Sequence, residues 1–373
     1  MTAAPDRPSD VLHRQPATIR VLKPLLPSAD AILPYLRAID SARIYSNYGP
    51  LSREFARRLG ALTGAAGVAL TSNGTAAIEV ALRASVPPGG GLCLMPAFTF
   101  IASAHAVCNA GLTPFLTEVD AQSLVLTPAI AEAALRCAPA RPAAVLVVSA
   151  FGAPPDIEGW AAFRARHGIP VVFDAAAAVT AIDRVGAEPL CVSLHATKVL
   201  GIGEGGAILT GDADFAARCT AMTGFGFLGA ARVSAIRGGN WRISEYAAAV
   251  GLAALDALPA RLDTLRRLAG QYRASLDGKA SRLQEGAGDQ WATMTLNVIL
   301  PEGQAEATTT RLDAAGIEWR RWWGVGCHRH PAFADVPRVD LASTDALAPR
   351  VLGVPFHDDL APEEIEQVVA CLP

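Results

Sequence analysis

The sequence predicts an α/β protein with a large, mostly parallel sheet covered on both faces, followed by a smaller C-terminal α+β domain. Three observations support this. Short apolar runs alternate with helical periodicities through the first two thirds of the chain. Several runs, Ala144 to Ser149 above all, are continuous rather than alternating, as in strands buried on both faces. Beyond Leu276 the pattern changes to an α+β one. The organisation expected is a mobile arm over 1–25, a large domain over 26–250 and a small domain over 251–373.

Taken in order, Ser28 to Ile39 has helical periodicity with Ser28 as its cap, and Tyr45 to Pro50 is a turn cluster. Leu51 to Thr63 reads as an amphipathic helix. Val68 to Ser72 reads as a strand that passes through Asn73-Gly74-Thr75 into a helix over Ala76 to Ala84. That junction is equally an anion site, through its free N–H groups and helix dipole, or an ordinary capped start. Strands follow at Leu92–Met95, Leu112–Leu116, Ala144–Ser149 and Pro170–Asp174. The helices between them run from about Phe98 to Asn109, Ala129 to Arg136 and Asp156 to His167. Phe225 to Gly239 is glycine-rich loop, and Asn240 to Glu245 leads a long helix from Tyr246 to about Leu276, with Arg261, Arg266 and Arg267 expected on its exposed face. Thr293–Leu300 and Glu318–Trp323 read as strands, Glu306–Ala315 and Glu363–Cys371 as helices.

Composition narrows the function. Of 373 residues 51% are apolar and 18% charged, so there is a large core to bury. A formal charge of −3 gives no electrostatic case for nucleic acid or an anionic membrane. No apolar run reaches the roughly 20 residues of a membrane helix, and Met1 to Pro16 lacks the apolar core of a signal peptide. The seven cysteines are widely spaced without a Cys-x-x-Cys pair, which argues against a zinc site or a disulfide framework. His328-x-His330 lacks a third metal ligand. A reduced, cytoplasmic protein without a metal is expected.

The chemistry centres on Ser193 to Gly206, where Lys198 stands between a Ser/Thr-rich turn and a run of glycines, ahead of the buried strand Ala207–Thr210. A lysine in partly apolar surroundings loses its proton more easily, and a neutral amine attacks carbonyls. Gly201-x-Gly203-x-x-Gly206 matches the dinucleotide fingerprint in letters only, because a strand follows it where a helix should open. In open α/β sheets ligands sit off the carboxyl ends of the strands. Asn73-Gly74-Thr75, Asp174 and the Lys198 stretch all fall at such ends. A lysine, a strand-end carboxylate and a phosphate-binding turn suit pyridoxal 5′-phosphate, whose ring needs a protonated nitrogen to act as an electron sink.

The chain resembles the sugar aminotransferases of the DegT type, a branch of the fold-type I pyridoxal phosphate enzymes. The resemblance runs from about Pro24 to the C-terminus. Its marks are Tyr45–Pro50, Ser72–Ala77, Pro96–Phe100, Ser193–Gly206, Asn240–Glu245, Arg320–Trp323 and Leu352–Pro355, in that order. It implies transfer of an amino group from L-glutamate to a nucleotide-linked keto-deoxysugar, in a homodimer with shared active sites. It implies Lys198 as the amine that bonds the cofactor and then moves a proton between Cα and C4′, and Asp174 as the partner of the ring nitrogen. Gly74, Thr75 and Ser193 would hold the phosphate, Phe100 would stack on the ring, and Asn240 would reach the phosphate of the partner subunit. Tyr48, Trp322, Trp323 and His328 are candidates for nucleotide-sugar contacts, and equally for core or interface positions.

One position departs from the family. Three residues after the ring aspartate it usually has Gln or His, near the cofactor's phenolic oxygen; here Ala177 stands. Lys198 argues against the branch that replaces the lysine with histidine and dehydrates sugars. The His-Ala-Thr-Lys and Arg-Trp-Trp segments lean toward C4 of dTDP-linked 4-keto-6-deoxysugars. The alternatives are action at a 3-keto position or on a cyclitol-type ketone and, from another class, a non-catalytic scaffold, which Ala177 alone favours.

Overall fold

The computed structural model describes residues 19–228 and 233–373. Residues 1–18 of the expected arm and 229–232 of the expected glycine-rich loop lie outside the described residues. The large sheet has seven strands: β1 (Gly67–Thr71), β2 (Leu92–Pro96), β3 (Thr113–Thr117), β4 (Ala144–Val148), β5 (Val171–Asp174), β6 (Leu190–Ser193) and β7 (Gly206–Thr210). Their order is β1-β7-β6-β5-β4-β2-β3. All neighbours are parallel except β7, which runs antiparallel to both β1 and β6. Because β7 alone is reversed, the carboxyl ends of the other six strands and the start of β7 share one edge.

The continuous apolar strands work as the sequence predicts. Alternate residues enter separate cores on the two faces: Val145, Val147, Val171 and Phe173 on one, Ala144, Leu146, Val172 and Ile208 on the other. The helices Gly74–Ser85, Ile101–Asn109 and Ala213–Thr223 pack on the second face through Ile78, Val80, Leu82, Val107 and Phe215. Helices Pro50–Thr63 and Ile157–His167 supply Phe55, Leu59, Trp160 and Phe163 to the first.

A second, antiparallel sheet follows: β8 (Arg282–Leu283), β9 (Leu296–Ile299) and β10 (Val351–Val354), in the order β10-β9-β8. Helices Ala305–Ala314 and Pro362–Ala370 contribute Leu312, Ile365 and Val368 to the same core that holds β5. The chain passes between the sheets through the helix Glu245–Ser275, which runs unbroken through position 250. No helix among the described residues is long and apolar enough to cross a membrane.

Three expectations are corrected. Residues 19–21 of the arm are held: Ile19 and Val21 are buried, Glu318 N–H donates to the Ile19 carbonyl at 2.9 Å, and Phe356 N–H donates to the Val21 carbonyl at 3.1 Å. Glu318–Trp323 is not a regular strand. Arg320 alone bridges Gly353, and the chain then turns as Gly324 N–H reaches the Arg321 carbonyl at 3.1 Å. Arg261 is not on an exposed face. Its guanidinium donates to the carbonyls of Leu25 and Val199 at 3.0 and 2.8 Å and pairs with Asp358.

One buried carboxylate ties the start of the long helix to the N-terminal helices. Helix Pro50–Thr63 has Gly49 at its N-cap and so no capping side chain of its own. Glu245, 1% exposed, takes that role by accepting from Leu51 N–H at 2.7 Å and Ser52 N–H at 3.0 Å. Glu245 N–H also donates to the Tyr45 carbonyl at 3.0 Å, which joins two of the sequence marks, Tyr45–Pro50 and Asn240–Glu245. Glu245→Ala is expected to cost about 2 kcal/mol by stranding two N–H groups, and thermal melting checks it; an unchanged midpoint would refute the cap.

His357 is 3% exposed, and neither ring nitrogen bonds to a described residue. Burial, reinforced by Lys23 and opposed by Asp359, Glu364 and Asp358, holds its pKa below the ordinary value. The unfolded chain therefore binds a proton here, near pH 6.5, before the folded one does. Its contribution to stability is full above about pH 6.5 and declines as the pH falls toward the lower folded value. Melting temperatures measured across that window should fall less steeply for His357→Leu than for the native protein.

Candidate active site

A cavity of about 1010 Å³ opens at the edge where β1, β2, β4, β5 and β6 end and β7 begins. Its first wall is the β1–helix junction. Asn73 Oδ1 accepts from Ala76 N–H at 2.8 Å and its carbonyl takes Ala77 N–H, so Gly74 and Thr75 N–H precede the first bonded turn. Gly74 lies against β6: a Cβ there would stand 2.8 Å from Ser193 Cβ. At Gly206 a Cβ would meet the Asn73 carbonyl oxygen at 2.4 Å. The two glycines allow β1, β6 and β7 to close around one small concavity.

The second wall is the end of β5. Asp174 is 5% exposed; Ser103 Oγ–H donates to Oδ2 at 2.6 Å and Ala176 N–H to Oδ1 at 3.1 Å. Ser103 is itself bonded to Thr99 Oγ1 at 2.8 Å. Burial pushes the Asp174 carboxyl above its ordinary range, and the Ser103 hydroxyl, the Ala176 N–H and the Lys198 charge oppose it. Sequence reasoning missed Ser103, whose signal was a hydroxyl in an otherwise apolar helix turn just after Phe100.

Lys198 sits on the link between β6 and β7. Antiparallel partners can be joined by a direct return, and this link is closed as one. Leu194 N–H donates to Gly205 O at 2.9 Å, Ala196 N–H to Gly203 O at 2.8 Å and Lys198 N–H to His195 O at 2.8 Å. Arg261 braces the far side through the Val199 carbonyl, a long-range contact that no local pattern announces. Burial lowers the pKa of the Lys198 amine, and the nearby Asp174 carboxylate partly restores it. The two groups face the same cavity, and desolvation shifts their pKa values in opposite directions.

The mouth is aromatic. Phe100, 53% exposed, lines it from the end of β2. Trp323 stacks on Phe151 with ring centroids 4.0 Å apart and meets Phe98 edge-on at 5.1 Å. Trp322 lies under the Arg320 guanidinium, 5.4 Å from the ring centroid, with its buried Nε1 bonded to no described residue.

Gly74, Thr75, Phe100, Asp174, Ser193, Lys198, Trp322 and Trp323 thus line one cavity. Tyr48, His328 and Asn240 do not. The Tyr48 hydroxyl is spent on the Thr220 carbonyl at 2.8 Å and on Thr223. His328 Nε2 pairs with Asp345 at 2.8 Å. Asn240 is exposed, and its Oδ1 accepts from Arg242 at 2.8 Å. Ala177 lines the cavity with a methyl group.

Comparison with known proteins agrees with this geometry. The family model for the DegT/DnrJ/EryC1/StrS aminotransferases matches residues 28–373. Protein Rv3402c of Mycobacterium tuberculosis is 31% identical over 368 residues, covering 95% of this chain and 89% of the relative. UDP-N-acetyl-3-dehydro-alpha-D-glucosamine 3-aminotransferase of Acidithiobacillus ferrooxidans is 30% identical over 355 residues, covering 93% and 94%. The crystal structure of DesI in the presence of its TDP-sugar product superposes with a TM-score of 0.85 at 29% identity, covering 96% and 92%. With its aminotransferase fold, the chain belongs to the DegT/DnrJ/EryC1/StrS family of pyridoxal phosphate-dependent sugar aminotransferases.

Proposed function

We propose that this enzyme moves an amino group from L-glutamate to a nucleotide-linked keto-deoxysugar, with a dTDP-4-keto-6-deoxysugar as its first candidate substrate. One observation is central: Lys198 and Asp174 share a cavity with a glycine cradle at the carboxyl edge of the sheet. The residues present fit pyridoxal phosphate. Lacking a Cβ, Gly74 packs directly on Ser193 and so brings the Ser193 side chain beside the free N–H groups of a helix start, a setting for a phosphate. Asp174 is a buried carboxyl whose desolvation a cationic ring nitrogen would offset. When bound, the cofactor supplies an electron sink for the pair left on a deprotonated carbon.

The chain's own residues then have distinct roles. Gly74, Thr75 and Ser193 would bind the phosphate. Asp174, held by Ser103 and Ala176, would orient the ring and keep its nitrogen protonated. Phe100, at the mouth, would pack on the ring and exclude water. Lys198 Nζ, biased by burial toward the neutral amine, would hold the cofactor at its carbonyl carbon and, when free, would carry a proton between the substrate Cα and C4′.

The sugar end is supported by Trp322, Trp323 and Arg320 at the mouth, aromatic and cationic groups suited to a nucleotide. The TDP-sugar product of DesI favours a dTDP-linked substrate. The 3-aminotransferase of Acidithiobacillus ferrooxidans instead favours the 3-keto alternative.

A homodimer with shared sites is part of the same proposal. Ile44, Tyr45, Phe225, Phe227 and Tyr246 are large exposed apolar side chains around the Asn47–Arg242 contact, and such a patch fits an interface. Asn240 lies beside Arg242, available to a partner's cavity. Seven free cysteines fit a reducing, cytoplasmic setting.

The test is amino transfer from L-glutamate to a panel of dTDP-4-keto, UDP-3-keto and cyclitol ketones, with products read by mass. The dTDP-4-keto-6-deoxysugar should be aminated by the native enzyme and not by Lys198→Ala, since no other cavity residue supplies the amine. Amination of the 3-keto sugar or the cyclitol alone would overturn the substrate reading. Undiminished turnover by Lys198→Ala would overturn the mechanism.

A further inference from the structure

Ala177 leaves a gap in the chemistry of the site, and an orphaned group on the neighbouring strand fills it. Ser149 follows β4. Val148 pairs with Asp174, and Ser149 N–H donates to the Asp174 carbonyl at 2.9 Å, so Ser149 is pinned beside the turn that runs from Asp174 to Ala177. The residue lines the cavity and is 5% exposed, and its buried Oγ bonds to no described residue. A buried hydroxyl without a partner costs stability, and native structures retain few of them.

The strand order says what that hydroxyl faces. In pyridoxal phosphate the phosphate arm and the phenolic oxygen leave opposite sides of the axis joining the ring nitrogen to the carbonyl-bearing carbon. With the phosphate at the β1–β6 junction and the nitrogen at the end of β5, as proposed, the phenolic side would lie toward β4, the next strand in the order β6-β5-β4. Ser149 is the residue that follows β4 at this edge.

We propose that Ser149 Oγ–H donates the hydrogen bond to the cofactor's phenolic oxygen that the family's usual Gln or His, here Ala177, does not supply. The assignment rests on the cofactor placement proposed above. Thr295 Oγ1 is a second unpartnered hydroxyl lining the cavity, but it reaches the site from the small-sheet side and has no bond to the Asp174 turn.

The test titrates pyridoxal phosphate into the full-length protein freed of cofactor and follows melting with and without it. Ser149→Ala should weaken cofactor binding about five- to tenfold, the loss of one hydrogen bond. Adding Ala177→Gln to that variant should restore it, and Thr295→Val should leave it unchanged. Without cofactor, Ser149→Ala should melt no lower than the native protein, because the hydroxyl it removes makes no bond there. Native affinity in Ser149→Ala, a lower melting temperature without cofactor, or a loss in Thr295→Val instead would overturn the assignment. Failure of the native protein to bind pyridoxal phosphate would overturn the cofactor placement itself, which separates the two claims.

Discussion

The cavity depends on keeping one carboxyl and one amine out of water at the edge of an apolar sheet. Desolvation opposes the charged form of each, raising the pKa of Asp174 and lowering that of Lys198. Neither group can be buried alone without cost. Asp174 is supported by the Ser103 hydroxyl and the Ala176 N–H, and each of the two charges partly restores the other. The result is an amine closer to neutrality and a carboxyl in need of a cation, which is the arrangement a pyridine-based electron sink requires.

The rest of the fold brings those two groups to one place. Reversing only β7 lets the chain return directly after β6, so the lysine is presented on a closed loop rather than a long crossover. The reversal forces β7 to begin against the end of β1, where Gly206 passes the Asn73 carbonyl and Gly74 passes Ser193 with no room for a side chain. Arg261 holds the outside of the lysine loop to the long helix and to Asp358, so the second half of the chain braces the chemistry of the first. Glu245 fastens the start of that same helix to the N-terminal segment.

What was legible in the sequence was local or periodic. Continuous apolar strands, the Ser28 cap, and functional groups at strand ends follow from patterns within about ten residues. What was not legible depends on partners far away in the chain. Arg261 looks like a solvated helix residue until Val199 and Asp358 are placed beside it. Tyr48 and His328 look like ligand contacts until Thr220 and Asp345 take their polar atoms. The Arg- and Trp-rich run Glu318–Trp323 reads as a strand, but after one bridge to Gly353 the chain turns and Arg320 to Trp323 line the cavity instead. Ser149 is invisible for a different reason, since a serine at a strand end means little until its lack of a partner is known.

The most direct measurement of the Lys198 and Asp174 chemistry is the visible absorbance of the purified protein loaded with pyridoxal phosphate, before and after addition of L-glutamate. A visible band should appear that depends on Lys198, is lost on adding L-glutamate, and returns with a keto-sugar acceptor. A protein that takes up no cofactor, or a band that L-glutamate leaves untouched, would contradict the assignment of this cavity as an aminotransferase site.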